Sequence, residues 1–356
     1  MRVDFLIVGQ GLAGSILAWE LIQRNARVVV VDNGRENASQ VAAGLINPVT
    51  GLRFAKSYRV DDFLPMAKSL YDRLSALFKT DFYHEKTLIR LLRNESDIEQ
   101  SKKRLTDPDY RGFLEKIIPE EQLDYGFQRC LGALEQRLTG FLDTRPLLAT
   151  LRNFLIERDS YRKSEFDYRD ITIDKHITWQ GLIAKQIVCC EGYRLRENPW
   201  FSWLPLQPVK GEILTLQNPT PFPNKIVNFG NWLIPTGINR YRTGATFDRK
   251  PVDVVCTAQA KMQLLAALGE IAPDFKTHAR VVEQQANIRP CTPDRLPFLG
   301  CHPIHRNLHV FNGFGAKGSL QIPWYSQHFA DVLLKGTALE PDCDIQRYYA
   351  THFPRP

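Results

Sequence analysis

VDFLIVGQGLAG, residues 3–14, is a short branched apolar run that ends in closely spaced glycines. Residues 3–8 predict a buried strand that stops at Gly9. Residues 15–25 have helical spacing, with Ile16, Leu17, Leu21 and Ile22 on one side. Residues 28–31 are four valines, a second continuous apolar run closed by Asp32. Strand, glycine turn, helix and strand make a βαβ unit of about thirty residues. Gly9, Gly11 and Gly14 stand as G-x-G-x-x-G where this unit needs them. Gly9 permits the tight turn, Gly11 lets the backbone approach a pyrophosphate, and Gly14 lets helix and strand pack closely. Leu12 and Ala13 open the helix, whose free N–H groups and dipole favour phosphate. Asp32 offers a carboxylate to ribose hydroxyls and disfavours a 2′-phosphate. The unit predicts a dinucleotide site, with NADP disfavoured.

Further along, residues 37–51 read as a loop and 62–78 as a helix with Phe63, Met66, Leu70, Leu74 and Leu77 on one face. Residues 86–93 read as a strand and 95–105 as a charged helix, while 107–140 show too little periodicity to assign. A helix is expected from Asp143 to about Glu157. DITID, ITWQGLIA and QIVCC between residues 167 and 192 read as strands. Residues 210–216, 225–229, 231–234 and 242–247 predict a mostly antiparallel sheet. A helix at 257–271, strands at 281–288 and 308–311, and a helix at 319–334 close the chain. An α/β start, an antiparallel middle and an α/β ending predict two interleaved domains, as the length of 356 residues also suggests.

The net charge is +7, from 46 Lys and Arg against 39 Asp and Glu. No dense basic block accompanies it, so a solvated surface competes with an anionic partner. Seven cysteines without a CxxC pair argue against a disulfide framework and against zinc. His302 and His305 are too few for a metal site. The N-terminus lacks a signal-peptide layout, and no apolar run is long enough for a membrane span, so a cytoplasmic protein is expected.

Later segments carry a resemblance in chain order. They are Ala38-Ser39-Gln40-Val41-Ala42-Ala43-Gly44-Leu45, Val188-Cys189-Cys190-Glu191-Gly192, Pro208-Val209-Lys210-Gly211-Glu212, Leu233-Ile234-Pro235 and Gly244-Ala245-Thr246. Arg289-Pro290-x-Thr292-Pro293-Asp294-x-x-Pro297-x-x-Gly300 and Gly313-Phe314-Gly315-Ala316-Lys317-Gly318 follow. With the N-terminal glycines, these resemble the D-amino acid oxidase family of FAD-dependent oxidoreductases, nearest in pattern to glycine oxidase and monomeric sarcosine oxidase. The resemblance implies a mixed α/β fold: a Rossmann-like FAD-binding domain interleaved with an antiparallel-sheet substrate domain. The expected division gives 1–85, 141–205 and 283–356 to FAD, and 86–140 and 206–282 to substrate. FAD contacts are implied for Gly9, Gly11, Leu12, Ala13, Gly14, Asp32, Ser39, Ala43, Gly44, Leu45, Gly192, Gly313, Gly315, Ala316, Lys317, Gly318 and Ser319.

The resemblance also implies the chemistry: hydride transfer from an amine carbon to flavin N5, then hydrolysis of the imine. Arg289 matches the arginine that holds the substrate carboxylate in glycine oxidase. A planar guanidinium suits a carboxylate bidentately, and an ion pair is the competing role. Trp232 and Phe247 match pocket-lining positions, with core packing as the alternative. The second pocket arginine is replaced by Ala316, and Lys317 beside it offers a charge either to the flavin or to solvent. Arg242 matches a lysine that sits over the flavin in sarcosine oxidase. The cysteine that carries covalent flavin there matches Asn287, so FAD is expected to bind non-covalently. The expected partners are a small amine or amino acid with a carboxylate, and O2 or another electron acceptor. Two alternatives stay open: a flavoenzyme trimming a carboxymethylaminomethyl group on tRNA wobble uridine, and a non-catalytic FAD-binding subunit of a dehydrogenase complex.

Overall fold

A computed structural model of the chain describes residues 1–220, 222–250 and 252–353. The N-terminal unit forms as its sequence predicts: strand Arg2–Val8, helix Leu12–Gln23 and strand Val28–Asp32. These strands lie parallel in a first sheet with Tyr161–Lys163 and Leu182–Cys189. Leu182–Cys189 has two partners along its other edge. Its first residues pair antiparallel with Ile177–Trp179 and its last residues pair parallel with Leu308–Asn312.

Both faces of this sheet are covered at its centre, which is why residues 5–8 and 28–31 run as continuous apolar stretches. Phe5, Ile7, Val28 and Val30 pack in one core cluster with Ile16, Leu17, Leu70, Leu151 and Phe329. Leu6, Val8, Val29 and Val31 pack in the other with Ile187, Phe201 and Val310.

The second sheet also has eight strands. In spatial order they are Arg280–Cys291, Gln207–Gln217, Arg240–Gly244, Trp232–Gly237, Ile226–Asn228, Leu88–Leu91, Ala133–Gln136 and Leu114–Ile118. Every neighbour is antiparallel except Ile226–Asn228 beside Leu88–Leu91. Strand side chains alternate between faces. Ile89, Leu91, Leu214, Leu216, Val227 and Leu233 therefore share one face, and they pack with Leu264 and Leu268 of helix Ala258–Ile271 and with Phe275. The opposite face carries Arg90, Asn228, Trp232, Ile213, Gly211, Asn287 and Arg289, and it looks into a cavity.

Several expectations need correction. Residues 107–140 hold two strands of the second sheet. The outermost, Leu114–Ile118, carries exposed Glu115 and Lys116, which mask its alternation. GLIA and QIVCC are one strand, Leu182–Cys189, because the turn falls earlier, at Gln180 and Gly181. The strand expected at 242–247 is Arg240–Gly244, so Phe247 lies beyond its end. The loop at 37–51 contains a one-turn helix, Ala38–Val41, closed by a reciprocal Asn37–Gln40 capping box. The boundary drawn at residue 283 cuts strand Arg280–Cys291, whose pairing along its length is with the second sheet.

Candidate active site

The two sheets face one cavity of about 1180 Å³. That exceeds the roughly 300–1,000 Å³ of an ordinary small-ligand site. Gly9, Gly11, Leu12, Ala13, Asp32, Ser39, Ala43, Gly44, Leu45, Gly192, Gly315, Ala316, Lys317, Gly318 and Ser319 all line it. So do Trp232, Phe247 and Arg289. Gly14, Gly313 and Arg242 are not among its lining residues.

The glycines divide the work. A Cβ on Gly14 would stand 2.0 Å from the Gly9 carbonyl oxygen, and one on Gly9 would stand 2.6 Å from that of Cys190. These two positions let helix and strands pack. Gly11 caps helix Leu12–Gln23 and faces the cavity, where a Cβ would meet only Ser39 Oγ at 3.3 Å and Asn37 Oδ1 at 4.0 Å. Leu12 N–H donates to Ser39 Oγ (3.0 Å), tying the helix start to the 37–45 segment. Asp32 accepts from the N–H groups of Gln10 (2.9 Å) and Gly34 (2.7 Å), which fixes its carboxylate at the strand end. Gly313, at φ +82°, supports the next turn from outside, since a Cβ there would meet Thr292 Cγ2 at 2.8 Å.

Distant residues hold the 37–45 segment in place. Gly44 adopts φ +68°, and a Cβ there would lie 1.9 Å from the Leu142 carbonyl oxygen. Arg145 Nε donates to the Gln40 carbonyl (3.0 Å). Arg242 donates to the carbonyls of Ala42 (2.9 Å) and Val41 (2.5 Å). Burial, with Arg145 nearby, lowers its pKa to about 10. Arg242, which matches a flavin-side lysine by position, is not among the lining residues of the cavity; its guanidinium bonds to two backbone carbonyls of the cavity wall.

Arg289 is half-buried, and its guanidinium lies directly over Gly211, where a Cβ would stand 2.2 Å from Nη2. It donates to the Thr246 carbonyl (3.3 Å), and among the described residues no carboxylate forms a salt bridge with it. Burial pulls its pKa below the usual arginine range. Trp232 packs against the Gly244 backbone, its ring 3.0 Å from where a Cβ would be. Phe247 stays 63% exposed at the cavity's edge.

Lys317 Nζ donates to Thr50 Oγ1 (3.2 Å) and to Ser57 Oγ. Burial, with some repulsion from Arg295, lowers its pKa to about 8. The first turn of helix Gly318–Lys335 opens on the same wall, so its unpaired N–H groups and positive dipole end face the cavity. Gly315 N–H donates to the Pro290 carbonyl (3.1 Å), which joins the segment carrying Lys317 to that carrying Arg289.

Sequence reasoning missed Arg90, Asn228, Thr50 and Glu191, all of which line the cavity. Arg90 and Asn228 come into register only because a parallel pair sits in an otherwise antiparallel sheet. Among the described residues no cluster of three metal-ligating side chains occurs, and no helix is long and apolar enough to cross a membrane.

Comparison with known proteins agrees with this geometry. Residues 4–332 match the family model DAO, FAD dependent oxidoreductase. The chain is 27% identical to glycine oxidase of Geobacillus kaustophilus, over 93% of each protein. The crystal structure of glycine oxidase from that organism superposes with a TM-score of 0.83 at 25% identity, covering 95% of this chain and 96% of that one. The chain is also 24% identical to the tRNA 5-methylaminomethyl-2-thiouridine biosynthesis bifunctional protein MnmC of Idiomarina loihiensis. That match covers 90% of this chain and 54% of that protein.

Proposed function

The chain belongs to the DAO family of FAD-dependent oxidoreductases, and from that premise we propose that it oxidises the carbon–nitrogen bond of a small amine or amino acid bearing a carboxylate. The observation that carries this reading is Arg289. A desolvated guanidinium with one carbonyl partner and, among the described residues, no carboxylate leaves its fork for a ligand. The similarity to a protein named glycine oxidase supports the same substrate class.

The residues present fit FAD. Gly11 leaves room for a pyrophosphate at the start of helix Leu12–Gln23, Asp32 ends the adjoining strand, and the cavity runs on from there to the second sheet. Gly9, Gly11, Leu12, Ala13, Asp32, Ser39, Ala43, Gly44 and Leu45 would hold one end of the cofactor. Gly315 to Ser319 would hold the other. When bound, FAD supplies the two-electron acceptor.

This chain's own residues bind and orient. Arg289 fixes the substrate carboxylate, Trp232 limits where the amine carbon sits, and Phe247 borders the mouth of the cavity. That carbon gives up its hydrogen with the bonding pair, the nitrogen gives up a proton, and water hydrolyses the imine. The first turn of helix Gly318–Lys335 and the Lys317 ammonium stabilise negative charge that develops on their side of the cavity. In this reading the first sheet is the cofactor unit and the second the substrate unit, with strand Arg280–Cys291 assigned to the second.

Anaerobic mixing with glycine, sarcosine, proline and D- and L-amino acids tests it. A carboxylated amine should bleach the bound flavin, and Arg289→Ala should lower that substrate's kcat/KM by about a hundredfold or more, the ~2–5 kcal/mol of a lost buried charge pair. Full activity in a flavin-loaded Arg289→Ala protein would remove the carboxylate role. Repeating the reaction in air separates oxidase from dehydrogenase. The net charge of +7 and the MnmC similarity favour one second reading, a tRNA wobble-base substrate. Tight tRNA binding that weakens steeply with salt would put that reading first.

A further inference from the structure

The bond from Arg289 to the Thr246 carbonyl depends on an irregular strand ladder. Strand Gln207–Gln217 pairs antiparallel with Arg240–Gly244, and Ile213 stands opposite Gly244. Past Gly244 the pairing goes on, with Glu212 against Thr246 and Lys210 against Asp248. The register has shifted by one residue, so Ala245 is the extra residue of a bulge. In a regular hydrogen-bonded pair the two residues exchange both N–H to carbonyl bonds. Lys210 and Asp248 do so, at 2.8 and 3.0 Å. Glu212 and Thr246 exchange only one. Thr246 N–H donates to the Glu212 carbonyl (3.1 Å), but Glu212 N–H donates to Thr246 Oγ1 (2.9 Å).

A hydroxyl thus takes the place of a carbonyl in the ladder, and the Thr246 carbonyl accepts from Arg289 Nη1 (3.3 Å) instead. Arg289 stands on the strand beyond, Arg280–Cys291, opposite Val209. Its guanidinium crosses Gln207–Gln217 over Gly211 to reach Thr246 on the far side. Thr246 is buried and lines the cavity. Side chains alternate along a strand, so the Glu212 side chain points away from the face that Gly211 presents to Arg289. Behind that face the Glu212 carboxylate accepts from Thr257 N–H (2.9 Å), Thr257 Oγ1 (2.9 Å) and Gln284 Nε2 (2.8 Å). The residue that grips Thr246 is itself fixed from outside the cavity.

We infer that Thr246 is a positioning residue for the reaction. Its hydroxyl satisfies Glu212 N–H, which keeps its own carbonyl aimed at Arg289. That carbonyl holds the guanidinium across Gly211, and most of its five N–H donors stay open to a carboxylate. Without the hydroxyl, Glu212 N–H is buried and unpaired, a costly state that is relieved when the carbonyl of residue 246 turns back into the ladder. Arg289 then loses its support. This rests on the carboxylate role given to Arg289 above and deepens it.

Acetate binding to the flavin-loaded full chain, followed by calorimetry, tests it. Steady-state kinetics with the carboxylated amine that bleaches the flavin run beside it. Thr246→Val should raise the acetate Kd and the substrate KM about tenfold, with kcat within a few-fold. Thr246→Ala, which lacks the hydroxyl without a branched side chain, should do the same. Thr246→Ser keeps the hydroxyl and should return both constants to near wild type. Flavin content and melting temperature check that each variant is folded. A Thr246→Ser protein as weak as Thr246→Val overturns the inference, since the hydroxyl is then not what matters. So does a loss confined to kcat. Arg289→Ala separates the inference from the reading beneath it. If Arg289→Ala binds acetate as wild type does, the carboxylate role fails and the inference falls with it. If Arg289→Ala loses acetate while Thr246→Val keeps it, the carboxylate role stands and the inference alone is overturned.

Discussion

The two ends of the cavity are built from different materials. At the first-sheet end backbone comes to the wall at Gly9, Gly11, Gly44 and Gly315, at helix starts and beside a carboxylate fixed by two N–H groups, next to side chains such as Glu165, Tyr168 and Glu191. At the second-sheet end it is side chains projecting from strands, with Arg90, Trp232 and Arg289 on one face. A backbone wall has little tolerance for added atoms and little choice of ligand. A side-chain wall can be re-cut one residue at a time without disturbing the sheet behind it. Substitutions at the first end should therefore cost fold and cofactor together, and those at the second end should change substrate handling alone.

The largest effect expected is at Gly14. A methyl placed 2.0 Å from the Gly9 carbonyl must push helix from strand. Gly14→Ala should lose about 3 kcal/mol of stability or more and purify with little flavin. Melting temperature and the ratio of flavin to protein absorbance read both. A flavin-replete, equally stable Gly14→Ala protein would break the contrast at its strongest point.

Arg242 tests the border between the ends, since it lies in the second sheet but serves the first. Arg242→Met removes two charge-assisted bonds to the Val41 and Ala42 carbonyls. FAD should bind about ten- to a hundredfold more weakly, roughly 1.5–3 kcal/mol. At saturating FAD the substrate KM should stay within a few-fold. A large KM change with normal FAD affinity would return Arg242 to the substrate side.

The smallest effect is a pH dependence. Lys317 titrates near 8 in the fold, against an ordinary 10.5 for a lysine. A lysine with a lowered pKa costs stability while it is charged in the fold. That cost is fully present below about 8 and fades as pH rises towards 10.5. Binding of an anion has the opposite sign: affinity is greatest below 8 and falls by up to about tenfold per unit above it. Lys317→Met should weaken anion binding at pH 7 and flatten this slope. A wild-type KM that is flat from pH 7 to 9.5 would place Lys317 outside substrate binding.

The first end was legible in the sequence because its requirements are local. Gly9 to Asp32 lie within one βαβ unit, and the glycines, the helix start and the terminal acid must follow in that order. Gly44 and Gly315 were legible only through family resemblance, because the strict need at Gly44 comes from the Leu142 backbone nearly a hundred residues away. The second end was legible in its most distinctive residue, Arg289, and less so elsewhere. Arg242 matched a flavin-side lysine by position, but its reach to the 41–42 carbonyls depends on how the two sheets meet. Arg90 lay on an expected strand with no sign of a role, since nothing local says which strand will pair beside it.

The sequence by itself determined the nucleotide-binding start, the alternation of α/β and antiparallel segments, and the arginine fitted to a carboxylate. These follow from periodicity, backbone freedom and side-chain chemistry, which act over a few residues. Only the tertiary structure decided which side chains share the cavity. Strand pairing and register are set by burial of the face packed on helix Ala258–Ile271. Whatever alternates with that face, Arg90, Trp232 and Arg289 included, is carried to the opposite side and into the site.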